Sequence, residues 1–130
     1  MTATVATMAG DPVLVDADTE WIPVAALERL PVDRGVAALV AGEPVAVFRL
    51  RDGTLAAIDH VEPFGGTPVL ARGLVGSTDD TVYVASPLHK QRFCLRTGVC
   101  LDDPGVAVRS WPVCLRDGLV HVATRPYTGP

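Results

Sequence analysis

The chain is poor in flexible positive charge. Its eleven basic residues are ten arginines and a single lysine, Lys90, set against fifteen acidic residues, for a formal net charge of −4. A nucleic-acid surface needs a basic excess or stripe to neutralise phosphates, so that class of partner is excluded. Long apolar runs are also missing. None approaches the ~18 residues of a membrane helix, although 48% of the residues are hydrophobic and the mean hydropathy is +0.30. Cysteine is scarce, with only Cys94, Cys100 and Cys114, and no pair has C-x-x-C or another zinc spacing. The three read as free, mostly buried thiols, and a Cys94–Cys100 bridge across the Thr97-Gly98 turn is geometrically conceivable. No Lys or Arg precedes Arg29, and no continuous apolar core lies near the start. A secretory signal is therefore not expected, and the cytoplasm is the expected location.

What the chain does have is many short apolar segments cut by turns. Residues 1–18 show no periodicity and are expected to form a flexible tail. The domain is expected over residues 19–125, with a frayed tail at 126–130. Trp21 to Val24 reads as an extended entry, and Val24 to Leu30 as one or two helical turns stopped by Pro31. Val36–Val40, Val45–Leu50 and Thr54–Asp59 read as strands, with Asp52-Gly53 as a tight primed hairpin turn between the last two. Residues 60–80 read mostly as loop. Val82–Ala85, Arg92–Arg96, Val99–Leu101 and Val106–Arg109 are short extended pieces. Val113–Arg116, Asp117-Gly118 and Leu119–Thr124 form a closing hairpin. The phrase Leu-Arg-Asp-Gly occurs at Leu50–Gly53 and again at Leu115–Gly118, which predicts two hairpins with the same turn chemistry. Roughly nine closely spaced strands and at most one short helix predict an all-β fold, a small sandwich or barrel.

Two loops carry the unusual residues. The first is Asp59-His60-Val61-Glu62-Pro63-Phe64-Gly65-Gly66-Thr67-Pro68. The second is Ser86-Pro87-Leu88-His89-Lys90-Gln91-Arg92-Phe93-Cys94-Leu95-Arg96-Thr97-Gly98. Together they resemble the cluster-binding loops of Rieske-type ferredoxin domains, in which C-x-H and C-x-x-H supply two thiolates and two imidazoles to a [2Fe–2S] cluster. The Gly-Gly-x-Pro after the first pair and the Phe-x-Leu-x-Thr-Gly after the second match as well. The ligand positions fall on Glu62, Phe64, Ser86 and His89, so only His89 is a ligand-type residue, and a conventional cluster is not expected. The two strings are similar to those of the small subunit of assimilatory NAD(P)H-dependent nitrite reductase, over about Trp21 to Thr124. That resemblance implies a Rieske-like fold with no cofactor of its own. It implies a non-catalytic accessory role beside a large subunit that carries FAD, an iron–sulfur cluster and siroheme and reduces nitrite to ammonium.

Other readings of the same residues stay open at this point. His60, Glu62 and His89 are two imidazoles and a carboxylate, a ligand set used by iron(II) and zinc enzymes. A Rieske-type electron carrier is a further alternative, disfavoured by the lost ligands. Ser86 and His89 lack a nucleophile elbow and a third member, so Ser86 is expected to tie its loop rather than attack a substrate. Lys90, Gln91 and Arg92 are either a solvated loop or a docking surface for the large subunit. Phe64 is expected to plug the volume a cluster would fill. His121 is expected to be a sheet histidine without a chemical role.

Overall fold

The two faces of one hairpin organise the molecule. The computed structural model describes residues 3–129. In chain order the strands are β1 (Ala3–Met8), β2 (Asp11–Asp16), β3 (Trp21–Ala26), β4 (Arg34–Val40), β5 (Glu43–Arg49), β6 (Leu55–Asp59), β7 (Val61–Glu62), β8 (Thr67–Pro68), β9 (Leu74–Thr78), β10 (Thr81–Ala85), β11 (Arg92–Cys94), β12 (Val113–Arg116) and β13 (Leu119–Ala123). The helical segments among the described residues are two single 3-10 turns, Leu27–Arg29 and Leu70–Arg72. The fold is all-β, and its named pairings are antiparallel.

Strands β4, β5 and β6 form the middle sheet. Ala46, Phe48, Ala56 and Ile58 face one apolar cluster with Leu70, Val84, Phe93 and Leu95. Val45, Val47, Leu55 and Ala57 face a second cluster with Trp111, Val113, Val120 and Val122. Burial on both faces explains why Val45-Ala46-Val47-Phe48 shows no polar alternation, since a strand covered on two sides needs apolar residues at every position. One cover is the β11-β10-β9 sheet. The other is the sheet ordered β2-β1-β12-β13-β3. Gly35 lets β4 close on the second 3-10 turn, because a Cβ there would stand 2.6 Å from the Ala71 carbonyl oxygen.

Several sequence expectations change. Within the stretch expected as a flexible tail, the described residues carry two strands: β1 and β2 pair along their full length. They add to the edge of β12 through Thr7 and Val113. The hairpin is held because Ala6 and Met8 are buried, Ala9 N–H donates to the Leu55 carbonyl and Asp11 pairs with Arg96. At the other end, Tyr127 N–H donates to the Ser110 carbonyl at 2.8 Å. Between residues 60 and 80, expected as loop, lie β7, β8 and β9. Most of Val24–Leu30 is strand or a single 3-10 turn. The repeated Leu-Arg-Asp-Gly makes two different turns. Asp117 and Gly118 both have positive φ, 52° and 76°, and join Arg116 directly to Leu119 as a tight primed hairpin. In the first copy only Gly53 has positive φ, because Asp52 instead accepts the Thr54 N–H and hydroxyl, which opens the loop.

Met8→Ala removes a buried side chain that pins the β1–β2 hairpin. We expect a loss of about 2 kcal/mol, read as a lower urea midpoint. A midpoint equal to that of the parent chain would show that the hairpin does not pack.

Candidate functional site

Both sequence-identified loops are hairpin tips, and they meet. Glu62 pairs with Thr67 in β7–β8, which leaves Pro63 to Gly66 as the first tip. Ala85 pairs with Arg92 in β10–β11, which leaves Ser86 to Gln91 as the second. The first tip turns tightly: Gly66 has φ 71° and its N–H donates to the Glu62 carbonyl at 2.7 Å.

The Glu62 side chain is fully buried, at 0% exposure. Its Oε1 accepts the Phe64 N–H at 2.7 Å, and its Oε2 accepts the Gly65 N–H at 3.0 Å. Across the gap, His89 Nδ1–H donates to the same Oε2 at 3.1 Å. That contact is also an ion pair whenever the imidazole is charged. The imidazole is half-exposed. Gly65 sits so close that a Cβ would lie 3.1 Å from the His89 ring. In the second tip Ser86, itself buried, accepts the Leu88 N–H through Oγ at 3.2 Å, with the His89 N–H at 3.5 Å. Ser86 also closes the loop backbone, donating to the Gln91 carbonyl and accepting from Lys90 N–H, both at 2.9 Å. Ser86 thus ties its loop, as its position suggests.

A [2Fe–2S] cluster does not fit these residues. The four positions offer a carboxylate, a phenyl ring, a hydroxyl and an imidazole, where such a centre needs thiolates on at least one iron. Both Glu62 oxygens are already engaged, and the His89 nitrogen that faces inward is engaged with Glu62. Cys94 is in β11, pairing with Tyr83, and the three cysteines are free thiols.

The mononuclear set His60, Glu62 and His89 does not assemble either. His60 is buried and turned away: its Nδ1 accepts the Ala71 N–H at 3.1 Å, and its carbonyl accepts Val69 and Leu70 N–H. Among the described residues, no three His, Cys, Asp or Glu side chains gather as a metal-ligand group. Burial, reinforced by Arg72, pushes the His60 pKa down from its ordinary value, which suits an imidazole that accepts at Nδ1.

Phe64 is not the expected plug. It is 40% exposed and touches Phe93 only in a tilted contact at 6.3 Å between centroids. The turn that wraps the Glu62 carboxylate leaves the Phe64 ring partly exposed, and the loops are joined instead by the contact of Glu62 with His89. The Lys90–Gln91–Arg92 run also divides. Arg92 forms a two-pronged pair with Asp102 and lies over the Tyr83 ring. Gln91 Oε1 is buried without a partner. Lys90 is exposed, with φ 62°. His121 donates from Nδ1 to the Leu119 carbonyl at 3.0 Å, a local sheet contact.

Sequence reasoning missed the brace beneath the first loop. Asp59 accepts the Arg109 N–H and Nε at 2.9 Å and Trp111 Nε1 at 3.1 Å. Arg109 also pairs with Glu43 and stacks on Trp111, and the two carboxylates hold its guanidinium above the usual range. Partners fifty residues apart leave no local signal, although Asp59 opens the first loop.

Two facing hairpin tips on a three-layered β scaffold are the architecture of the Rieske-like class. The profile described as "Rieske-like [2Fe-2S] domain" matches residues 20–123. Within that class, the nitrite reductase (NADH) small subunit of Escherichia coli (strain K12) is 34% identical over 105 residues, covering 80% of this chain and 97% of that one. A solved chain from Mycobacterium tuberculosis, assigned as an NADH-dependent nitrite reductase small subunit, superposes with a TM-score of 0.80 at 40% identity, covering 85% of this chain and 98% of that one. The chain belongs to the nitrite reductase small-subunit family. It is also 36% identical over 116 residues to the nitrite reductase [NAD(P)H] large subunit of Klebsiella oxytoca, matching 89% of this chain and 12% of that protein.

Glu62→Gln replaces a charged acceptor by a neutral group with one fewer acceptor. We expect a loss of about 2 kcal/mol in urea unfolding, with faster amide exchange at Phe64 and Gly65. Unchanged exchange at both amides would mean that the carboxylate does not hold the loop. His60 generates a second expectation. Its folded pKa lies below the unfolded value of 6.5. As pH falls below that value, the unfolded chain takes up the proton first. Its contribution is therefore full above the unfolded pKa and declines as pH falls toward the folded one. The drop in stability between about pH 7.5 and 5.5 should be smaller in His60→Gln than in the parent. Parallel stability–pH curves would contradict this.

Proposed function

We propose that the chain is the accessory small subunit of a cytoplasmic NAD(P)H-dependent nitrite reductase, bound to the large subunit and carrying no redox centre itself. The observation that supports it most is the closure of the two loops by Glu62, Ser86 and His89. Groups that would have to be free to hold a metal are engaged with loop backbone and with one another. Electron transfer from NAD(P)H to nitrite then belongs to the large subunit, with its FAD, iron–sulfur cluster and siroheme. The Klebsiella oxytoca relative supports the partnership, because a stretch like this chain lies within a large-subunit polypeptide there. In this reading the chain contributes shape and contact surface to the complex and stabilises it by mass action.

Tagged chain co-expressed with the large subunit should retain it through purification, and the isolated chain should be colourless, with iron and zinc far below one per chain. A visible iron–sulfur absorbance or stoichiometric metal in the isolated chain would sink the reading. So would failure to retain the large subunit.

A further inference from the structure

Both hairpin tips expose apolar side chains where they have least need to. Phe64 is 40% and Leu88 52% exposed, and the stretches Pro63–Gly66 and Pro87–Lys90 are exposed throughout. The contacts between Glu62, Gly65 and His89 bring these stretches together. Beside them stands Lys90, with no ion pair among the described residues, in a chain of net charge −4. The backbone under this surface is fixed from inside: Glu62 holds Phe64 and Gly65, and Ser86 holds Leu88. A surface whose loops are ordered before contact loses little entropy on binding. Exposed aromatic and aliphatic groups on such a surface make good anchors.

The four most exposed of the other large apolar side chains fit less well. Val5 and Leu14 are on the β1–β2 hairpin, outside the residues 20–123 that the family shares. Leu39 and Leu74 lie on β4 and β9, separate outer strands of two sheets.

We propose that the tip formed by Phe64, Leu88 and Lys90 is the surface that docks on the nitrite reductase large subunit, against an apolar patch bearing a carboxylate opposite Lys90. This rests on the small-subunit reading above, and the Klebsiella oxytoca chain, which unites the two parts, points to the same partner. It revises the basic run as a docking element. Arg92 is committed to Asp102 and the Gln91 acceptor is buried, so Lys90 carries the charge and Phe64 and Leu88 carry the contact.

The test titrates purified large subunit, with its cofactors, into this chain and its variants. Phe64→Asp with Leu88→Asp should weaken binding at least about tenfold, with an unfolding midpoint close to that of the parent. Lys90→Glu should weaken it several-fold, and the difference should shrink in high salt. It serves as the independent readout if the double variant does not fold. Val5→Asp with Leu14→Asp should leave affinity within about twofold. Parent-like binding by the folded tip variants, or an equal loss in the β1–β2 variant, overturns the docking surface while the small-subunit reading stands. No binding by the parent chain overturns both.

Discussion

A fully buried carboxylate is the constraint on which the loop region depends. Removing such a charge from water costs several kcal/mol unless donors surround it. Glu62 finds them in Phe64, Gly65 and His89, two from its own turn and one from the facing loop. The two loops are therefore not independent: the position of the second follows from the charge held by the first. Loss of the facing loop removes one of the three donors, His89, and leaves the buried anion less fully compensated, so native packing of both is favoured together.

The scaffold presents the loops through the double-faced burial of β5 and β6. Chain leaving β6 runs at once into Asp59, whose carboxylate is gripped by Arg109 and Trp111, then into His60, clasped by Ala71, then into Glu62. Three consecutive polar anchors at alternate or adjacent positions lead the chain out of the core. Each is matched to a donor from another part of the fold. On the other side β10 enters from the first cluster through Val84 and delivers Ser86. The loops are thus extensions of the two layers that sandwich the first cluster, and their stiffness comes from that cluster as much as from their own hydrogen bonds.

Much of this was legible in the chain. The strings around Gly65-Gly66 and Phe93 to Gly98 mark tight turns with special backbone needs, and they located both loops and the class of fold. What escaped was long-range pairing. Glu62 and His89 are 27 residues apart, and nothing local says that a glutamate will point inward while the neighbouring phenylalanine points out; the desolvated charge needs backbone donors, and the turn that supplies them evicts the ring. The β1–β2 hairpin escaped because its turn, Ala9-Gly10, places an alanine at positive φ, a conformation that alanine seldom signals. β9 was masked by Gly76 and the polar Ser77 and Thr78, which read as loop until paired with β10.

The cage around Glu62 has a wider meaning. Backbone N–H groups that converge on one point form a receptacle for negative charge whatever atom carries it. In a cluster-bearing relative, sulfur would be the natural recipient, since hydrogen bonds to sulfur tune such centres. Here a glutamate side chain supplies the anion from within the polypeptide. The shape of the loops is therefore set by a charge that the polypeptide itself carries: Glu62 works as a built-in template around which two separate hairpins are cast.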